Sequence, residues 1–334
     1  MGAVSRAGWA ALLLIVVVLP LAILTGVGMG SVPLTTRQIL EALTGSGTES
    51  HYYIVQELRL PRTLLALMVG GGLATAGATF QALLRNPLAE PYILGISGGA
   101  AVGAVSVLAL GLVAAGSWAL PLAAFGGALV AIALVFGVAA SADRRMDVRV
   151  LLLAGVVVGA FFSACIALVL SLSEAPVVRS AVLWMMGSLS GADWRSVGMA
   201  AAYTLPATLL LLGMARGLNA MSIGEETATY LGVEVEWLKR TSYGVASLLA
   251  AATVAVAGII GFVGLIIPHA VRLLVGSDHR VLLPLAFLAG ASFLALADVL
   301  ARTLLAPTEI PIGVVTAFVG VPIFLVLLRR SLQP

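Results

Sequence analysis

The chain has 334 residues, 61% of them hydrophobic and only 10% charged, with a formal net charge of +3. A soluble domain carries roughly 25% charged residues, so this composition excludes an ordinary soluble fold and implies membrane-spanning helices. The positive excess is small and dispersed, and it does not point to nucleic acid.

The first apolar run follows Arg6 and begins at Trp9. It is longer than a signal-peptide core and no small-residue cleavage site follows it, so it is read as an uncleaved first helix. A transmembrane helix needs about 20 apolar residues. Ten candidate spans meet or approach that length, near 9–29, 63–84, 92–113, 118–140, 150–172, 197–214, 241–259, 261–275, 281–300 and 311–328. The run at 261–275 is short and is expected to tilt into the bundle or to be embedded only in part. Ten helices leave no room for a soluble domain, so residues 1–334 are read as one all-α polytopic membrane domain.

Basic side chains resist translocation and fix topology. With the N-terminus inside, twelve of the 18 Lys and Arg residues fall on cytoplasmic segments, among them Arg85, Arg144, Arg145, Arg149, Lys239 and Arg240. Arg37, Arg59, Arg62, Arg179, Arg195 and Arg302 fall outside. Both termini are therefore expected in the cytoplasm. Arg59 and Arg62 are three apart, and a helical start at Pro61 would set both near one face at the outer surface. They suit headgroup snorkelling or the docking of an acidic partner.

The second and third spans are joined by Arg85-Asn86-Pro87-Leu88-Ala89-Glu90-Pro91, a polar hinge at the membrane surface between runs, 63–84 and 92–140, that carry no charge. Asn86 precedes a proline and is pushed out of helical geometry, and Pro91 suits the first turn of the third span. Gly95, Gly99 and Gly103, then Gly155 and Gly159, recur at the four-residue spacing that lets helices approach closely. Cys165 lies within an apolar run, can form no internal disulfide, and is read as a packing residue. Trp184, Met185, Met186 and Ser188 are candidates to line a path for a bulky cargo.

The longest polar stretch, 217–240, contains Ser222-x-x-Glu225, a capping-box pattern. It predicts a helix from Ile223 to Leu231, a break at Gly232 and a second short amphipathic piece, which suits a surface helix or a pair that inserts into a cytoplasmic partner. Gly258, Gly261 and Gly264 mark a tight turn between the seventh and eighth spans. His269 is read as a helix-end hydrogen-bonding residue, since no second histidine stands at metal-ligand spacing. Asp298 is an intramembrane acid, a functional candidate by default, with an i,i+4 pair to Arg302 as the simpler account.

Lys239 is the only lysine and follows Leu238, so the phosphate-binding pattern GxxxxGK[ST] cannot occur. HExxH and CxxC are also missing. Any ATP, with its Mg ion, is expected on another chain, and no cofactor, metal or catalytic residue is assigned here.

Long motifs in order then carry a resemblance: ELRLPRTLLALMVGGGLATAGATFQALLRNPLAEPYILGISGGA, LLLAGVVVGA, WMMGSL, GEETATYLGV, GFVGLIIPHAVRLLVGSDHRVLLP, ADVLAR and EIPIGVVTAFVGVPIFLVLLRR. The chain resembles the FecCD-type permease subunits of ABC importers for iron–siderophore complexes, haem and cobalamin, from about residue 30 to 330. The resemblance implies a type II importer architecture of ten helices in a bacterial or archaeal inner membrane. It implies a second permease subunit, with a homodimer the simpler form, two ATPase subunits, and a periplasmic or lipid-anchored binding protein. It places Arg59, Arg62 and Arg302 at the binding-protein dock and Gly224, Glu225, Leu231 and Gly232 at the ATPase coupling helices. It places Asn86, Pro87, Leu88, Val148 and Arg149 at the cytoplasmic gate, where Arg149 departs from the small hydroxyl residue of some relatives. Two other readings are an ion-driven secondary transporter, which calls for midplane charges or broken helices, and a purely structural subunit, which leaves the polar loop unexplained.

Overall fold

The computed structural model describes residues 6–113, 118–142 and 147–331. Arg144 and Arg145, counted above for topology, lie outside the described residues. The helices in chain order are α1 (Arg6–Gly28), α2 (Thr36–Thr44), α3 (Glu49–Tyr52), α4 (Leu60–Leu83), α5 (Ile96–Ala109), α6 (Ala119–Ala142), α7 (Val148–Ser171) and α8 (Ala175–Met185). They continue as α9 (Trp194–Gly213), α10 (Ala215–Ile223), α11 (Glu225–Tyr230), α12 (Val235–Ala257), α13 (Val263–Val275), α14 (His279–Thr303) and α15 (Ile312–Ser331).

Each of the ten expected spans coincides with a helix, and six helical runs among the described residues are long and apolar enough to cross a membrane. Two expectations are corrected. The third span is shorter than 92–113, because Pro91–Leu94 form a 3-10 turn and Gly95 turns left-handed (φ 72°) before α5 begins. The count of long apolar runs also passes over α8, an apolar helix of 11 residues beginning with Ala175-Pro176.

The start of the second span differs as well. The helix does not begin at Pro61; it runs on from α3 through a π-helical stretch, Tyr53–Arg59. Proline donates no backbone hydrogen bond and its ring crowds the preceding turn, and a wide π turn just before it relieves both demands.

The centre of the bundle is α4, which is apolar all round and buried on nearly every side, as a helix without a polar face must be. α14, α12, α13 and α9 pack around it, while α5 pairs with α6 and α7. Two crossings bring backbones into contact. A β-carbon at Gly70 of α4 would stand 2.2 Å from the Gly290 carbonyl of α14, and one at Gly99 of α5 would stand 2.3 Å from the Gly127 carbonyl of α6. This is the small-residue packing expected where lipid removes the hydrophobic drive between helices. Of the remaining stripe, Gly103 and Gly155 also meet backbone, whereas Gly159 faces open space.

Candidate functional site

The C-terminal ends of α1 and α14 and the N-terminal end of α4 meet in a cluster of charges. Asp298, almost fully buried, sits between two arginines, 2.9 Å from Arg62 Nη2 and 3.3 Å from Arg302 Nε. The second contact is close enough for charge pairing but poorly aligned for a hydrogen bond. The i,i+4 pair foreseen from sequence is therefore present, with a long-range partner that sequence spacing could not reveal. Arg62 also holds Glu309 at 2.9 Å, and Arg302 donates to the Gly26 carbonyl at 2.5 Å. Arg59 is buried and takes no carboxylate among the described residues; its guanidinium donates to the carbonyls of Val27, Gly28 and Val32. A hollow of about 130 Å³ lies over this cluster, lined by Arg59, Arg62, Arg302 and Glu309.

At the opposite end of α4 the chain reverses at Arg85 (φ 48°). Asn86 Oδ1 accepts from Leu88 N at 2.9 Å, closing the turn around Pro87 and leaving Leu88 exposed. Beyond it the hinge does not stay at the surface, as its polar sequence suggests, but enters the bundle. Glu90 Oε1 accepts from Phe262 N at 3.0 Å, Tyr92 Oη from Ile260 N at 3.4 Å, and Gln81 Nε2 donates to the Leu265 carbonyl at 3.0 Å. The break between α12 and α13 thus rests on the hinge, and Gly258 (φ 69°) opens that break as its glycines predicted. Val148 and Arg149, the second segment that the resemblance implies for the gate, stand at the start of α7: Asp147 caps the helix through Arg149 N, and Arg149 pairs with it at 3.1 Å. That bonding holds the half-buried Asp147 carboxyl down to about 2.

A cleft of about 580 Å³ opens beside the α12–α13 break, lined by Met185, Met186, Ile259, Phe262, Val314 and Phe318 among others. A second, of about 330 Å³, includes Trp184, Ser188, Arg62 and Glu309. All four candidate lining residues named from sequence therefore face one of two adjoining hollows. His269 is not at a helix end; it lies inside α13, and its Nδ1 has no hydrogen-bond partner. No group of His, Cys, Asp and Glu able to hold a metal ion occurs among the described residues.

The polar stretch folds differently from its capping pattern. α10 runs through Ser222, whose hydroxyl donates to the Asn219 carbonyl at 2.7 Å, and the break falls at Gly224 (φ 154°). α11 follows and ends in a Schellman turn, with Val233 N on the Ala228 carbonyl and left-handed Gly232 (φ 80°). No separate helix follows it, because α12 continues from Val235 into the bundle. Ile223, Tyr230 and Leu231 stand exposed at the tip, Tyr230 at 90%. Beneath them the pair is tied down at two points. Glu225 turns inward onto buried Lys239 at 3.2 Å, and Asn219 bonds Asp278 Oδ1 at 2.8 Å and the His279 amide at 2.8 Å. Arg280 first, and then Asn219, hold the Asp278 carboxyl well below the usual range against the opposing effect of burial.

The profile of the FecCD transport family matches residues 11–330. The chain belongs to the FecCD transport family. Its likeness extends to an uncharacterised ABC transporter permease protein, YvrB, of Bacillus subtilis, 44% identical over 86% of this chain and 82% of the relative. The cobalamin import system permease protein BtuC of Halobacterium salinarum is 45% identical over 84% of this chain and 74% of the relative. Among solved structures, an inward-facing conformation of a candidate metal-chelate type ABC transporter superposes with a TM-score of 0.85 at 33% identity. The match covers 96% of this chain and 98% of that one. This FecCD chain is thus a multi-pass membrane protein of the ABC-importer permease type.

Proposed function

We propose that the chain, as a single membrane domain of the cytoplasmic membrane with both termini inside, is the permease half of an ATP-driven importer of a metal chelate, with cobalamin the leading cargo. The observation that carries the ATP-driven reading is the anchored pair α10–α11. Its apolar tip of Ile223, Tyr230 and Leu231 is exposed while its base is fixed by Glu225–Lys239 and by Asn219, which suits a rigid knob seated in another protein. That protein would be the ATPase, which brings ATP and Mg, since this chain lacks the phosphate-binding pattern. Gly224 and Gly232 set the angles of the knob, Glu225 ties it to α12, and Leu231 fills the partner's groove. A second permease copy would close the path along the cleft, and the turn at Asn86, Pro87 and Leu88 with Val148 and Arg149 would gate its inner end. Cobalamin enters as cargo through the relatives named above.

The outer hollow fits a carboxylate from a binding protein. Arg59 and Arg302 are buried at its floor, so an incoming glutamate would take Arg62 from Glu309, which is 42% exposed. Such pairing steers encounter and fixes register.

The test is uptake by proteoliposomes holding this chain with its ATPase and binding protein, offered labelled cobalamin, a ferric siderophore and haem in parallel. ATP-dependent accumulation of cobalamin is expected. Accumulation driven by an ion gradient without ATP would overturn the importer reading. In the same vesicles, Leu231→Asp is expected to cut uptake at least tenfold, and unchanged uptake would remove the knob from coupling. Arg62→Glu is expected to weaken capture of the binding protein while the ATPase stays bound; undiminished capture would end the docking reading.

A further inference from the structure

Phe262 holds a conformation that its own chemistry opposes. Its backbone lies in the left-handed region (φ 70°), where a bulky side chain persists only if its surroundings impose it. Two neighbours impose it here, and a third contact braces the break behind it. Glu90 Oε1 accepts the Phe262 amide at 3.0 Å. Gly320 of α15 leaves space for the ring, since a β-carbon there would stand 2.7 Å from Phe262 Cβ. Behind the break, Pro91 packs so closely on Gly264 that a β-carbon would meet its ring at 2.5 Å.

The position of this residue matters as much as its strain. Phe262 lines the 580 Å³ cleft with Met185, Met186 and Phe318. Glu90 is four residues from Asn86 and belongs to the same continuous segment, in which Ala89 N bonds the Asn86 carbonyl at 3.1 Å. No helix intervenes to absorb movement between the turn and the carboxylate, because no helical element lies between Leu83 and Pro91. Arg272 adds a brace, donating to Gln81 Oε1 at 2.8 Å while Gln81 holds the Leu265 carbonyl.

We propose that Glu90 is a positioning residue that couples the cytoplasmic turn to the cleft: its bond to the Phe262 amide holds the Phe262 ring in the passage, and displacement of the turn at 85–88 releases it. The inference rests on the importer reading and adds to it a link between the cytoplasmic turn and the cargo path. A carboxylate serves here as an acceptor, so the amide oxygen of glutamine can replace it. The strain supplies the return, because a phenylalanine freed from Glu90 relaxes toward ordinary backbone angles. Glycine takes φ 70° without that penalty and carries no ring.

The experiment measures cobalamin accumulated per ATP hydrolysed in proteoliposomes of the complete complex, for the unsubstituted chain and for Glu90→Gln, Glu90→Ala, Phe262→Gly and the double Phe262→Gly/Glu90→Ala. Glu90→Ala is expected to lower that ratio at least fivefold with hydrolysis continuing, and Glu90→Gln to keep it within twofold. In the Phe262→Gly background the alanine at 90 is expected to add nothing, since the group it positions is gone; a double-mutant cycle reads this coupling directly. A further fivefold fall in that background would overturn the proposal, and so would a Glu90→Ala complex matching the unsubstituted ratio. The glycine pair carries the test even where Glu90→Ala alone does not assemble. Absence of ATP-dependent accumulation by the unsubstituted complex is a separate result and would strike the importer reading itself.

Discussion

Asp298→Ala is expected to destabilise the chain by about 3–5 kcal/mol, the cost of leaving buried charge uncompensated. Asp298 is 1% exposed and lies within 3.3 Å of two guanidiniums, while Glu309 pairs directly with Arg62. Among the described residues, removing the carboxylate leaves Arg302 bonded to the Gly26 carbonyl, with Glu309, which Arg62 already holds, as a more distant counter-charge. Arg302 sits at 5% exposure and cannot swing into water without dragging α14 from α1. Asp298→Asn retains the shape and an acceptor, so its loss is expected to be smaller. The measurement is thermal unfolding of the detergent-solubilised protein, with Arg37→Ala as an exposed control whose i,i+4 pair is worth little. An Asp298→Ala protein that unfolds with the parent would show that the cluster does not hold these helix ends together.

The same cluster marks the limit of reading sequence. Arg59, Arg62 and Arg302 were legible as charges expected at an outer membrane surface and Asp298 as an intramembrane acid, and the i,i+4 relation of Asp298 to Arg302 was legible as spacing. The Arg62–Asp298 pair joins residues 236 positions apart, and nothing local encodes it. The two capping patterns teach the complementary lesson. Thr35-x-x-Gln38 forms a true box, with Thr35 N donating to Gln38 Oε1 at 2.8 Å. Ser222-x-x-Glu225 does not, because burial of Leu218 and Met221 extends α10 past the serine and Lys239 draws Glu225 away. A cap is a preference of about 1 kcal/mol, and two buried apolar side chains outweigh it. Apolar run length located the ten spans for the opposite reason: in a bilayer every backbone group must be paired within its own segment, which leaves the chain little choice. The hinge was seen but its depth was not. Glu90 reads as a surface residue beside two prolines until Phe262 N is found on it.

Gly77→Leu is expected to abolish uptake, and Gly77→Ala to reduce it severely. A β-carbon at Gly77 would stand 1.9 Å from the Gly264 carbonyl and 2.7 Å from its α-carbon. Both are backbone atoms, so no rotamer change relieves the clash, and α13 must move away from α4. Overpacking of a core costs about 1–3 kcal/mol, but the consequence here reaches beyond stability. Gly264 is also the residue against which Pro91 packs, and Gln81 bonds the neighbouring Leu265 carbonyl. Displacing α13 therefore shifts the break at Phe262 relative to the hinge. Gly198, inside α9, is the matched control, since a β-carbon there would meet nothing within 4 Å. Alanine at that position should be neutral or favourable, because it gains about 1 kcal/mol of helix propensity. Uptake and thermal midpoint of the two alanine variants, measured side by side, decide the matter. Equal behaviour would mean that the α4–α13 crossing has slack that the backbone contact denies, and loss of uptake at Gly77 alone would place the limit on transport at that contact.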